Sequence, residues 1–323
     1  MQLPRPVIVE KVLEDPSVLR ELVTANAPYW SIQRYFRNAT EMAALRDGEA
    51  PTVASGGMFV APWFRGDWAY DAPLVDGVEV FLDHPGLRDA AAEVFGGAAE
   101  IRPQIVYVNA FPPIPAFDRG HVDVPAFRGV DRTTHPIWLL ALMLRSGLFE
   151  AWRIPIATGV ASYYAGPGGG LTYWPEGPER PPVRRPPLPN TAVVGDNDRM
   201  FHRVEAVGPE GTTFMKGLTL DSQLAWTGDA WAVTDGGRTL ATFPSEAVRM
   251  SVSWKAQVLR TPEEARLVDD HTDDLTLERV VEIFGADLAA RGRATPAPAD
   301  PLGDEAFVAA LNDVYRLPRP VEA

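Results

Sequence analysis

A chain of 323 residues, 46% of them hydrophobic and 23% charged, can bury one large core or two modest ones, which argues against a disordered chain. Its 43 Asp and Glu against 30 Lys and Arg leave a net charge of −13; a field of that sign repels phosphate backbones and anionic lipid heads, so neither nucleic acid nor a membrane is expected as partner. With no cysteine there is no disulfide, no thiolate nucleophile, no Cys-ligated zinc and no ordinary iron–sulfur cluster, and a metal would have to sit on His, Asp or Glu.

The first residues, MQLPRPVIVEKVLEDP, carry early Pro and acidic side chains in place of a basic stretch followed by an apolar one. They do not read as a secretory signal, and a cytoplasmic protein is expected. Residues 1–100 read as helix-rich. Asp15 and Pro16 can start a helix in DPSVLRELV, with Leu19, Leu22 and Val23 on one face. A second start lies in DHPGLRDAAAEVFGG, with Pro85 near the front and Gly96-Gly97 supplying the positive φ that ends a helix. Between them, APTVASGGMFVAPWFRGDW reads as loop and strand.

From residue 101 the texture changes to short β-rich runs: QIVYVNAF, HVDVPAF, IPIATGVASYY, LTYW, TAVVG, MFHRVEAV, TTFMKGLTL and VRMSVSWKAQVL, separated by Gly, Pro and Asp. Many short strands at close spacing suggest a sandwich or barrel. An apolar helix over 135–150 interrupts them; its run PIWLLALML falls far short of the roughly 18 to 20 residues that cross a bilayer. PEGPERPPVRRPPLPN is too rich in proline for helix or central strand and is expected as an extended surface loop. After residue 260 the chain turns helical again: Thr261 caps, Pro262 follows and Glu264 stands at the reciprocal capping position. DLTLERVVEIFGADLAARG continues the pattern and RATPAPADP is a link. The last helix, DEAFVAALNDVYRL, puts Phe307, Leu311 and Val314 or Tyr315 on one side, where it can pack on its own core or on a second subunit. No internal repeat is visible.

Five histidines bound the search for an acid/base or metal site: His84, His121, His135, His202 and His271. On a strand, His121 and Asp123 project to one face while Val122 goes to the other. His202 lies 79 residues beyond Asp123, so only a folded barrel could unite the three. Two His and one carboxylate on one face of a metal leave three adjacent positions open, the arrangement of non-haem Fe(II) oxygen chemistry. VRMSVSWKAQV alternates strictly, so Arg249, Ser251 and Ser253 share a face opposite Val248, Met250, Val252 and Trp254; an inward Arg and Ser can grip a carboxylate, and a solvated edge strand is the alternative. His135 reads as a cap or core residue, and His271 in VDDHTDD as part of a solvated turn. GPGGGLTYW lacks the Lys of a phosphate loop and reads as a glycine-rich turn into a strand. Tyr163, Tyr164, Tyr173 and Trp174 are candidates to wall a substrate pocket, or else core.

Together, His121-Val122-Asp123, His202 and Arg249-Met250-Ser251 resemble the Fe(II)- and 2-oxoglutarate-dependent oxygenases, with their H-x-D…H triad and, in one branch, an R-x-S pair for the co-substrate. VNAFPPIPAFDRGHVDVP, which contains Asn109, looks like that branch's strand ahead of H-x-D, and HRVEAV like the strand carrying the distal His. The resemblance covers residues 101–258 and implies an α+β fold: a double-stranded β-helix (jelly-roll, cupin-like) core over 101–258 with a helical part before it (1–100) and C-terminal helices after it (259–323), all one unit. It implies His121, Asp123 and His202 on Fe(II), O2 as oxidant, 2-oxoglutarate released as succinate and carbon dioxide, and a small-molecule substrate. Asp123 sets the chain apart from halogenating relatives, which carry a small residue there. The co-substrate's distal carboxylate has two candidates. Arg249 stands 47 residues beyond His202, Lys216 only 14, nearer the family's usual spacing. With Arg249, the stretch 221–247 is an inserted hairpin with an Asp-Gly turn at 235–236. Two other readings remain open: an iron oxygenase that uses no oxo-acid, and a non-catalytic β-barrel binding protein. Association through the C-terminal helices as a homo-oligomer also stays open.

Overall fold

The computed structural model describes residues 3–35, 60–293, 298–316 and 320–321. Its centre is a large antiparallel sheet with strand order β1-β11-β8-β16-β5-β3-β2-β13-β14-β15. These strands are β1 (Val7–Glu10), β2 (Tyr29–Ser31), β3 (Phe64–Tyr70), β5 (Glu100–Phe111), β8 (Ile156–Tyr163), β11 (Thr191–Gly195), β13 (Gln223–Trp226), β14 (Ala230–Asp235), β15 (Arg238–Pro244) and β16 (Arg249–Leu259), and β4 (Ala72–Pro73) pairs with β3. A three-stranded sheet, β10-β9-β12, is formed by β9 (Leu171–Tyr173), β10 (Val183–Arg185) and β12 (His202–Val204); β6 (Ala126–Phe127) and β7 (Arg153–Ile154) pair separately.

Alternation along β16 organises the core. Met250, Val252, Trp254, Ala256 and Val258 join Val106, Val108 and Ala110 of β5 and Ala157 and Ala161 of β8 on one face. Leu87, Ala90, Ala91 and Val94 of the helix Pro85–Val94, with Leu19 and Val23 of the helix Ser17–Ala25, complete that apolar layer. The opposite face, with Ser251, Ser253, Lys255, Tyr107 and Asn109, borders a cavity that Leu171, His202 and Val204 of the small sheet close from the other side. The main sheet thus puts its apolar face on helices and its polar face on the cavity.

Both N-terminal helices form as expected, the second with His84 rather than a shorter polar residue as its cap: its Nδ1 accepts from the Leu87 N–H at 3.1 Å. The N-terminal part is less helical than its composition suggests, since β1, β2 and β3 all enter the main sheet. Most of the stretch read as loop between those helices lies outside the described residues. TTFMKGLTL makes no strand: Gly217 takes φ +81° and Thr219 and Ser222 close a local turn on Asp235, with both hydroxyls donating to its Oδ2. The proline-rich stretch contributes β10, at the edge of the small sheet where missing N–H donors do no harm. In the β14–β15 hairpin the central turn residues are Gly236-Gly237, both at positive φ, with Asp235 paired to Arg238; the turn sits one residue later than read, because both central positions of this tight hairpin need left-handed backbone.

A second apolar cluster unites the helix Ile137–Ser146 with the C-terminal helices Leu277–Ala290 and Glu305–Val314 through Leu140, Met143, Phe149, Phe284, Phe307 and Leu311. The last helix therefore spends its apolar face within its own chain. Thr261 caps the helix Pro262–Asp270 as read, but Glu264 accepts from the N–H of Arg260, one residue before the cap. No described helix is long and apolar enough to cross a membrane.

Candidate metal centre and its cavity

His121, Asp123 and His202 come together although they lie on separate stretches of chain. His121 and His202 form an isolated antiparallel bridge, each N–H donating to the other's carbonyl at 3.1 and 2.9 Å. HVDVPAF is thus an extended segment bridged to β12 at His121 and a strand only at its end, β6, yet the alternation holds: Val122 packs with Trp174 and Phe201. One nitrogen from each imidazole and one Asp123 oxygen lie within 4.8 Å of one another. The rings stand 4.5 Å apart between centroids, and His202 Nε2 is 3.8 Å from Asp123 Oδ1.

The far ring nitrogens are held. His121 Nδ1 lies 2.5 Å from Asp118 Oδ2, and His202 Nδ1 lies 3.0 Å from the Met200 carbonyl. Because a carboxylate and a carbonyl can only accept, each Nδ1 carries the proton, the outer-shell pattern of metal-ligating histidines. Burial, with His121 beside it, pushes the His202 imidazole down to about 4, so it is neutral at pH 7. Burial alone would raise the Asp123 carboxyl, but the Lys255 ammonium on its Oδ2 outweighs it and holds the group well below the usual carboxylate range. Two imidazoles and one carboxylate are a donor set that suits Fe(II).

The cavity above the triad has a volume of about 300 Å³. Along its wall, Asn109 and Ser251 are register partners on β5 and β16, and Ser251 also pairs with Ser162 of β8. Asn109 Oδ1 accepts from Trp63 Nε1 at 2.9 Å, and its amide reaches Ser253 Oγ at 3.4 Å. Arg249 is 1% exposed; its Nε donates to the Gly169 carbonyl at 2.7 Å and its Nη1 to Ser251 Oγ at 2.9 Å. No carboxylate lies within ion-pair distance of this guanidinium among the described residues, and burial pushes it down to about 10. Ser162 Oγ, also buried, has no hydrogen-bond partner. A buried cation without an acid is unfavourable unless a ligand supplies the anion. The glycine-rich turn serves it: Gly168 and Gly169 are left-handed, and a Cβ on Gly168 would stand 2.1 Å from the Ala206 carbonyl.

Other expected residues lie elsewhere. Lys216 is exposed on the irregular segment before β13 and does not line the cavity. Tyr163 faces the helix-covered side of the sheet, edge-on to Phe81 at 6.3 Å, because its parity on β8 is that of Ala161 and opposite to Thr158 and Val160. Tyr173 packs with Val193 and Met200 and accepts from Arg185 Nε, and Trp174 packs with Val122 and Phe201. The aromatic lining comes instead from Trp63, Tyr70, Tyr107, Phe111 and Phe127. His271 is exposed beside Asp274, and His135 lies at the helix start next to Thr134.

Three residues at the centre were missed by sequence reasoning. Asp118 stands three before His121, a spacing that only a turn makes useful. Lys255 shares the parity of Arg249, Ser251 and Ser253, a signal that was legible. Thr158 has no sequence signal and is found only as the register partner of Lys255.

No protein-family model and no curated protein matches the chain. Solved structures with a similar arrangement include a 2OG-Fe(II) oxygenase family oxidoreductase from Burkholderia pseudomallei, 12% identical over 79% of this chain and 86% of that one, TM-score 0.39. Another is the non-haem alpha-ketoglutarate-dependent epimerase SnoN of nogalamycin biosynthesis, 15% identical over 86% of this chain and 90% of that one, TM-score 0.40. HygX from Streptomyces hygroscopicus, solved with nickel, 2-oxoglutarate and hygromycin B bound, is 7% identical over 79% of this chain and 84% of that one, TM-score 0.36. The chain resembles the Fe(II)- and 2-oxoglutarate-dependent oxygenases, and the grouping of His121, Asp123 and His202 fits their H-x-D…H triad.

Proposed function

We propose that the protein is a non-haem Fe(II)- and 2-oxoglutarate-dependent oxygenase acting on a small molecule, with the two sheets around the cavity as a double-stranded β-helix core. One observation carries this reading: a two-His, one-carboxylate cluster and Ser251 line the same cavity, and Ser251 accepts from the buried, acid-free guanidinium of Arg249. A metal site alone would fit an iron oxygenase with no oxo-acid; the unbalanced guanidinium favours a dicarboxylate co-substrate.

In this reading His121, Asp123 and His202 hold Fe(II), which supplies oxygen activation coupled to oxidation of the co-substrate to succinate and carbon dioxide. Asp118 and the Met200 carbonyl keep both Nε2 atoms aimed at one point. Arg249 and Ser251 take the distal carboxylate of 2-oxoglutarate, with Ser162 Oγ and Asn109 beside them as further polar groups. Trp63, Tyr107 and Phe111 offer apolar faces to a substrate and exclude water, and Arg65, stacked 3.7 Å above Tyr107 and paired with Asp67, presents a fixed polar edge. Fe(II) and 2-oxoglutarate added without oxygen should give the weak visible charge-transfer band of the chelate, and admitting oxygen should release succinate. A wild-type protein with no band, or an undiminished band in His121→Ala, would overturn the proposal.

A further inference from the structure

The two oxygens of Asp123 have unequal surroundings. Oδ2 accepts from Lys255 Nζ at 2.7 Å and from Thr158 Oγ1 at 3.3 Å, and the ammonium also donates to the Thr158 hydroxyl at 3.1 Å. Ammonium, hydroxyl and one carboxylate oxygen therefore close a triangle. Oδ1 has no donor of this kind and faces His202 Nε2. The triangle is built into the sheet, since Lys255 and Thr158 are register partners across β16 and β8. It is also held from behind. The Asp123 N–H donates to the Asn197 carbonyl at 2.8 Å.

Resting on the metal-centre reading above, we infer that Lys255, together with Thr158, is a positioning residue that reserves one oxygen of Asp123 and leaves the other alone for the metal. A carboxylate that binds through both oxygens fills one more position around a six-coordinate ion. Two imidazoles and a single carboxylate oxygen leave three positions, enough for a bidentate oxo-acid and oxygen; a chelating carboxylate leaves two. The ammonium also repels a divalent ion at short range. Its removal should then hold the metal as tightly or more tightly while weakening the oxo-acid. General damage to the site would weaken both.

The test uses Co(II) as a redox-inert probe on the full-length protein, with titration calorimetry and d–d absorption spectra of wild type, Lys255→Met and Thr158→Val. In Lys255→Met the Co(II) Kd should be unchanged or lower, the Kd of 2-oxoglutarate for the Co(II) protein should rise at least tenfold, and the d–d bands should shift. Thr158→Val, which removes one donor and keeps the ammonium, should move the same quantities in the same direction by less, and decides the matter if Lys255→Met does not fold. An unshifted spectrum with 2-oxoglutarate affinity within threefold of wild type overturns the role, as does parallel weakening of metal and oxo-acid. If wild type binds Co(II) but not 2-oxoglutarate, the co-substrate reading fails by itself and the spectral shift still tests Lys255; no Co(II) binding at all overturns both.

Discussion

Each imidazole of the centre is aimed by a partner on its far nitrogen, and the two partners differ in kind. Asp118 lends His121 a charged acceptor, so Asp118→Asn should loosen ring and tautomer together and weaken Co(II) binding about 10- to 100-fold by calorimetry, with little change in melting temperature. Arg249 makes the complementary case. Arg249→Gln should raise the Kd for 2-oxoglutarate at least tenfold, about 1.4 kcal/mol, while metal affinity stays at the wild-type value. His202 sets a pH dependence in the metal-free protein. The unfolded chain takes up a proton on this imidazole below about pH 6.5, whereas the folded one resists until about pH 4. The unfolded state thus binds more protons in that window, and stability falls as the pH falls through it. Urea unfolding should show a loss of about 2 kcal/mol between pH 7 and pH 5, reduced in His202→Gln. These residues divide cleanly by legibility. His121, Asp123, His202, Arg249 and Ser251 announce themselves by residue type and parity, whereas Asp118 and Thr158 matter only through a turn and a sheet register.

At the scale of elements, β16 is the strand on which apolar layer and site meet. Its even positions fill the apolar layer beside the helix Pro85–Val94, and its odd positions carry Ser251, Ser253 and Lys255 to the cavity, with Arg249 on Ser251 beside them. That alternation was readable, and it put Arg249 on one face with Ser251 and Ser253, but whether that face was inward or solvated took the neighbouring strands to decide. Tyr163 shows the limit: an aromatic on a strand advertises a pocket and a core equally well, and its partner across the helix layer decided. The turn before β9 is the other element that shapes the site. Gly168→Ala would force a non-glycine residue into φ +70° and against the Ala206 carbonyl. It should destabilise the fold by about 1–3 kcal/mol in thermal or urea melts. Since the Gly169 carbonyl holds Arg249 Nε, 2-oxoglutarate binding should weaken with it.

Across the whole molecule, two apolar clusters stand on either side of the cavity-bearing framework, one under the main sheet and one among the helices Ile137–Ser146, Leu277–Ala290 and Glu305–Val314. Arg128 braces the second, with its guanidinium on Asp273 and the Ala151 carbonyl. Phe284→Ala, at a fully buried ring between Phe149 and Tyr315, should lower stability by about 3–5 kcal/mol. If the clusters fold as one unit the loss appears as a single shifted calorimetric transition; a separate early transition would show the helical cluster melting alone. The sequence by itself determined the acidic, cysteine-free character of the chain, its sheet and helix texture, and the small set of groups that could hold a metal, because these follow from residue type and from periods of 2 and 3.6. It could not say that Arg249 is buried and Lys216 exposed, nor name the cavity's aromatic wall, nor pair the Lys255 ammonium with Asp123. Those depend on which strands become neighbours and in what register, and contacts over 30 to 140 residues of chain arise only when the sheets close around a shared space.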